Sequence, residues 1–307
     1  MFRRAANLAL SLVGLLALGI PSAEALNIGV SPSRIELEIN RKTRTQAIRV
    51  LNFSSKPVEI KAYVRTWKIS EDNKFVEVPP TAESLDQWVV FTPSQFTVPA
   101  RSAQTLRFAI RPRVEPKPGE HRAVIYFEEL PSASDQTNTV RSVGRMGVVI
   151  YGYVGDIKRV GVLNSITVDP QPNGVTANFD VSSQGNGYVR LDGQYAIWPA
   201  AQYPGAESTK PIPNVEKPGQ KLPENLLGAG KLPLLPVLPD TRRRLQLPIT
   251  QKLAPGKYVL DINGELNGVK IERGIPFVVP EATATTSSST KPRPATARNL
   301  RNRLRPK

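Results

Sequence analysis

The sequence predicts an all-β protein of two antiparallel sandwiches, on three observations. Apolar residues recur with period two, as in Arg34-Ile-Glu-Leu-Glu-Ile39 and Thr45-Gln-Ala-Ile-Arg-Val-Leu51. Such runs follow one another every 8–15 residues or so, with Pro and Gly between them. No ten-residue stretch between the ends shows a helical period. The composition agrees, since 29 Pro exceed 21 Gly and 40% of residues are hydrophobic. At 307 residues the chain has room for two cores.

The first set of strands begins with Arg34–Ile39 and Thr45–Leu51, followed by the turn-rich Asn52-Phe-Ser-Ser-Lys-Pro57. Val58–Trp67 places Val58, Ile60, Ala62, Val64 and Thr66 on one face. Leu106–Arg111, Ala123–Phe127 and Met146–Val154 complete the set. The second comprises Gly161–Val168, Val175–Val181, Tyr188–Ile197, Thr241–Ile249, Gly256–Asn263 and Ile271–Val279. The division falls near Gly155, giving domains over 26–154 and 155–280. Residues 199–240 interrupt the second with nine prolines and the apolar Lys231-Leu-Pro-Leu-Leu-Pro-Val-Leu-Pro239. Proline has no N–H for a central strand, so this reads as a surface insertion with polyproline II stretches. A docking segment is the alternative.

The ends read differently. Met1-Phe-Arg-Arg4 is a basic start, Leu8–Ile20 an apolar run, and Ala23-Glu-Ala25 a small-x-small site. That is the grammar of a signal peptide cleaved after Ala25; a membrane span needs roughly 20 apolar residues. The mature chain is expected to be exported. Residues 281–307 hold seven Lys or Arg against one Glu and almost nothing to bury. They are expected to be a disordered basic tail, free in solvent or touching an anionic cell-wall or membrane surface.

Composition also excludes chemistry. The chain has no Cys and one His, His121, which rules out disulfides and thiolate sites and leaves no histidine cluster for a metal or a triad. Glu128 and Glu129 are adjacent on a strand and point to opposite faces, so they cannot flank one glycosidic bond. No phosphate loop, HExxH or GxSxG occurs. The expectation is no enzyme, no cofactor and no metal. A net charge of +15 without interleaved stacking aromatics does not suggest nucleic acid.

Several segments together resemble the PapD-like periplasmic chaperones of pilus assembly. They are Val30-Ser-Pro-Ser-Arg34-Ile-Glu-Leu, Ile48-Arg-Val-Leu-Asn52-Phe-Ser-Ser-Lys-Pro57 and Phe91-Thr-Pro-Ser-Gln-Phe96 running on to Leu106-Arg. To these add Glu120–Ser132, Ser183–Gly193 and Leu253–Leu260. The resemblance covers most of 26–279. Val124 and Tyr126 depart from it inside the signature strand. It implies two immunoglobulin-like sandwiches and an ATP-independent chaperone that caps pilus or surface-fibre subunits by donating an edge strand. Its partners would be such a subunit and, by extension, an outer-membrane usher.

The resemblance implies that a partner's terminal carboxylate is held between two cations. Arg34 matches the first. Gly147 stands where the second, a Lys, belongs, and Arg145 is the nearby substitute on the same strand face. The donor strand would draw on Val140, Val143, Met146 and Val148, a weak apolar run. A structural or adhesive envelope protein that kept the fold is the alternative.

A segment with nothing to bury carries little stability. Deleting residues 281–307 is expected to leave the thermal unfolding midpoint unchanged and to weaken binding to an anionic polymer, most at low salt. A midpoint several degrees lower would show the tail to be packed.

Overall fold

The computed structural model describes residues 28–40, 45–70, 73–131, 144–171, 174–217 and 219–281. The leader at 1–25, Val140, Val143 and all but the first residue of the tail lie outside the described residues. The described chain is all β apart from three 3-10 turns.

Its first half contains β1 (Ile28–Ser31), β2 (Arg34–Glu38), β3 (Gln46–Asn52), β4 (Val58–Ile69), β5 (Phe75–Val78), β6 (Val89–Thr92), β7 (Gln95–Val98), β8 (Ala103–Ile110), β9 (Gly119–Glu129) and β10 (Arg145–Val154). One sheet runs β1-β3-β8-β6; the facing sheet runs β2-β10-β9-β4-β5, with β7 also on β4. Pro32, which has no N–H to pair, sits where the chain leaves the first sheet for the second. The alternating positions face each other across the sandwich. Ile48, Ile60, Leu106, Phe108, Ile125, Phe127, Val148 and Ile150 are all buried in its core.

The second half contains β11 (Gly161–Gln171), β12 (Gly174–Ser183), β13 (Val189–Pro199), β14 (Gly228–Lys231), β15 (Pro236–Val237), β16 (Arg242–Ile249), β17 (Gly256–Leu266) and β18 (Val269–Val279). Its sheets are β11-β12-β16 and β14-β13-β17-β18, with β15 also on β13. A separate core gathers Phe179, Val181, Leu191, Ile197, Leu245, Leu260 and Ile262. The four sheets are consistent with two immunoglobulin-like sandwiches.

The proline-rich stretch between β13 and β16 pairs with the sheet through β14 and β15, both on β13. Its apolar segment divides. Leu232, Val237 and Leu238 are buried, while Leu234 and Leu235 remain exposed. Gln194 clamps the segment from the sheet, accepting from the Ile212 N–H at 2.8 Å and donating to the Ile212 carbonyl at 3.0 Å. The Tyr203 hydroxyl donates to buried Asp261 at 2.8 Å. These bonds tie down a segment whose composition alone suggested a loop in solvent.

Asn52 shows how a polar side chain can organise the first core. It is 2% exposed. Its amide donates to the carbonyls of Lys56 (2.7 Å), Val98 (3.1 Å) and Pro99 (3.2 Å), and its oxygen accepts from the Ser54 N–H at 2.9 Å. Asn52→Ala is expected to cost about 2 kcal/mol or more, because buried carbonyls lose their donor. Asn52→Asp is expected to cost more at neutral pH, where its carboxylate would face those carbonyls, and to recover on acidification. Chemical denaturation at two pH values checks both; an Asp variant as stable as wild type at pH 7 would contradict the assignment.

Candidate functional site

Strand alternation gives the second sheet of the first half two different faces. Ile35, Val148 and Ile150 point into the core. Arg34 and Glu36 of β2, and Arg145, Gly147, Val149, Tyr151 and Tyr153 of β10, share the opposite face, because β2 pairs parallel to β10 with Arg34 opposite Val149 and Glu36 opposite Tyr151. That face turns toward the second half. Trp67, Val124, Tyr126 and Tyr151 form a buried cluster there with Tyr188 and Leu238.

Polar groups frame this join. Glu120 accepts from the Tyr188 N–H at 2.7 Å and pairs with Arg122 at 2.8 Å. Asn73, in the turn between β4 and β5, donates to the Arg244 carbonyl at 2.9 Å and accepts from the Arg243 Nε at 2.7 Å. Arg243 is only 7% exposed.

The centre of the join is Glu36. One of its oxygens accepts from the Tyr188 hydroxyl at 2.6 Å and lies 3.1 Å from the Arg34 Nε. The other accepts from the Tyr153 hydroxyl at 2.7 Å and lies 3.9 Å from an Arg159 nitrogen. Arg159 also stacks on both phenol rings, at 4.8 Å from Tyr153 and 5.3 Å from Tyr188. Burial pushes the Tyr188 hydroxyl up to about 12, with the hydrogen bond to Glu36 adding to it. Tyr153 is raised for the same two reasons in the same order.

The segment Gly185-Asn186-Gly187 holds Arg159 in this place. Asn186 accepts from the Lys158 N–H at 2.7 Å and donates to the Asp156 carbonyl at 3.0 Å. A Cβ at Gly185 would collide with the Lys158 carbonyl, and one at Gly187 would meet the Arg159 stem at 3.2 Å. The connecting segment is thereby pressed against the turn.

Arg34 therefore sits on the face of the join, half exposed and beside Glu36. Arg145 does not meet it. Arg145 is four residues up β10 from Val149, roughly 13 Å along the strand. It stacks on Tyr126 at 4.4 Å, donates to the Tyr63 hydroxyl at 3.3 Å and lies 3.5 Å from Glu77. The structure explains the glycine between them. Gly147 is opposite Tyr126, and a Cβ there would meet the Tyr126 ring at 3.2 Å and Val124 at 3.0 Å. The three departures seen in the sequence, Val124, Tyr126 and Gly147, meet here: the first two crowd the space that a side chain at position 147 would enter.

Met146 and Val148 also sit differently from their expected place in a donor strand. Val148 is fully buried and Met146 packs on the first core, so alternation turns both side chains inward. The backbone of this segment is nonetheless open. β9 lines one side of β10 throughout, but β2 lines the other only along Val149–Tyr153. Among the described residues, no strand covers 145–148 on that side. The Val149 N–H bonds the carbonyl of Ser33, the residue just before β2, so alternation aims the backbone groups of Arg145 and Gly147 at the open edge.

Residues 28–150 match the family described as the PapD N-terminal domain of pili and flagellar-assembly chaperones. The matched PapD family is one of assembly chaperones rather than enzymes. Among solved structures, the class 5 fimbriae chaperone CfaA is similar at 15% identity and TM-score 0.41, over 83% of this chain and 100% of that one. The CsuC–CsuE chaperone–tip adhesion subunit complex of Acinetobacter baumannii is similar at 13% identity and TM-score 0.40, over 83% and 99%. The SafA pilin–SafB chaperone complex of Salmonella enterica is similar at 10% identity and TM-score 0.38, over 84% and 99%. No curated protein matches the chain in sequence.

Sequence reasoning singled out Arg34 through the PapD resemblance but not its neighbours Glu36, Arg159, Tyr153 and Tyr188. Only Arg34-Ile-Glu36 carried a local signal, a charge pair on one strand face.

A phenol whose ionisation is pushed up stabilises the fold in its neutral form. That contribution is complete below pH about 10 and is lost as pH rises through about 12. Tyr188→Phe is expected to lower stability at pH 7 by roughly 1.5–3 kcal/mol, the range for a hydrogen bond to a charged group. It should also flatten the loss of stability over that alkaline range. Denaturation from pH 8 to 12 checks this; an unchanged profile would contradict the Tyr188–Glu36 contact.

Proposed function

We propose that the protein is an exported, ATP-independent chaperone that binds incompletely folded pilus or surface-fibre subunits and caps them by strand addition. The carrying observation is the open edge of β10 at 145–148, in a segment matching a pilus-assembly chaperone domain. An extended partner segment can add there, with backbone hydrogen bonds supplying affinity. The donated side chains would come from the chain before Arg145, where Val140 and Val143 lie, since Met146 and Val148 serve the core.

On this reading residues 26–154 and 155–280 act as two domains with the partner's end between them. Arg34 is the anchor for its terminal carboxylate, because a guanidinium offers a carboxylate two charge-assisted hydrogen bonds. Arg145 serves the strand-adding region instead, held by Tyr126, Tyr63 and Glu77. The leader delivers the chain to the periplasm, where an outer-membrane usher would receive the loaded complex and the basic tail would meet anionic surfaces.

Arg34→Ala is expected to leave folding intact and to weaken the partner complex about 10- to 1000-fold, at about 1.5–3 kcal/mol per charge-assisted bond and 1.4 kcal/mol per tenfold. Pull-down of the natural partner from the periplasm, with thermal unfolding alongside, measures it. Undiminished partner binding would favour a structural envelope protein that shares the fold.

A further inference from the structure

Glu36 occupies a site built for a carboxylate. Two guanidiniums, Arg34 and Arg159, and two phenols, Tyr153 and Tyr188, converge on its two oxygens. The four donors come from three separate parts of the chain. Arg34 is on β2, Tyr153 and Arg159 are on β10 and the segment that follows it, and Tyr188 immediately precedes β13. Arg190 adds a third cation nearby, 4.8 Å from the Tyr188 ring, with its Nε buried and unpartnered among the described residues. One carboxylate thus meets two guanidiniums, with a third stacked on the neighbouring Tyr188 ring.

We infer that Arg34 and Arg159 together form the carboxylate seat of the cleft, and that Glu36 is its resident occupant, displaced when a partner's carboxylate arrives. The inference rests on the reading of Arg34 given above and supplies the second cation that Gly147 lacks. It also makes the seat a regulated one. Glu36 links Arg34 to Tyr188, so its release removes the Tyr188 hydrogen bond and the Arg159 ion pair across the join while Glu120–Tyr188 and Asn73–Arg243 remain. An incoming carboxylate competes with a tethered one, so affinity is set by Glu36 as well as by the cations.

The competition gives opposite signs for neighbouring substitutions. Glu36→Gln keeps an oxygen for the phenols but removes the competing charge. Arg159→Ala removes half the seat. Arg159→Lys returns the charge without the planar fork.

The test uses the full chain and three synthetic peptides of one alternating Val/Thr sequence. One ends in a free carboxylate, one in a carboxamide, and one in a carboxamide after a C-terminal Asp. Calorimetry at low salt measures binding, and thermal unfolding is followed for every variant. Wild type is expected to prefer the free acid over the amide by about tenfold, the effect of roughly 1.4 kcal/mol. Arg159→Ala should bring that ratio near one, Arg159→Lys should restore part of it, and Glu36→Gln should raise acid affinity about tenfold without changing amide affinity. Arg107→Ala, an exposed arginine on the other sheet, should change nothing. If the Asp-amide binds as well as the free acid, the seat takes side-chain carboxylates and the assignment to a chain terminus is wrong. A ratio intact in Arg159→Ala but lost in Arg34→Ala would overturn the role of Arg159 and leave the Arg34 reading standing. An unchanged affinity in Glu36→Gln would overturn the resident occupant. No acid preference in wild type would overturn the seat and the Arg34 reading together.

Discussion

The carboxylate of Glu36 is the interaction on which the join between the two halves depends. Five arginines, at positions 34, 122, 159, 190 and 243, crowd around that join. Glu36 and Glu120 are the acids bonded to them there. Desolvated cations without counter-charge would push the halves apart. Glu36 draws Arg34 and Arg159 together and accepts two phenol hydrogen bonds, one from each half. The aromatic cluster of Trp67, Tyr126, Tyr151 and Tyr188 packs beside these polar contacts and closes the rest of the join.

The same face shows how a site can depart from a family pattern without losing its architecture. Tyr126 takes the space above Gly147, and Arg145 stacks on Tyr126 rather than reaching toward Arg34. A cation at position 147 would have to displace that ring. The positive charge instead comes from Arg159 on the connecting segment, which Gly185, Asn186 and Gly187 hold in place. The edge of β10 is untouched by these changes, because backbone groups pair whatever side chains surround them.

Much of the fold was legible. Most strands of seven residues or more carry enough alternation to show their face, as Val58–Trp67 does, whereas β9 is instead continuously apolar and buried from Ala123 to Phe127. The strands that escaped notice, β1, β5, β6, β7, β14 and β15, have two to four residues. A run that short holds at most two alternations, and those strands form only because a longer neighbour supplies the register. The site was less legible for a related reason. Glu36 meets Tyr153 and Tyr188 across 117 and 152 residues of sequence, and no local pattern encodes such a meeting. The inward turn of Met146 and Val148 depends on where β10 begins to face the core, which the sequence does not mark. The proline-rich segment was misleading because composition predicts the exposure of its backbone, whereas Leu232 and Val237 are buried by the sheet they lie against.

The central claim is that a partner adds a strand to the open edge of β10. Amide hydrogen exchange on the protein, free and in complex with whatever co-purifies stoichiometrically from the periplasm, tests it most directly. The N–H groups of Arg145 and Gly147 point to the open edge, and those of Met146 and Val148 point to β9. The account predicts fast exchange at Arg145 and Gly147 in the free protein, slow exchange at Met146 and Val148 throughout, and protection of the first pair in the complex. Exchange at Arg145 and Gly147 that is equally fast in a saturated complex would contradict it.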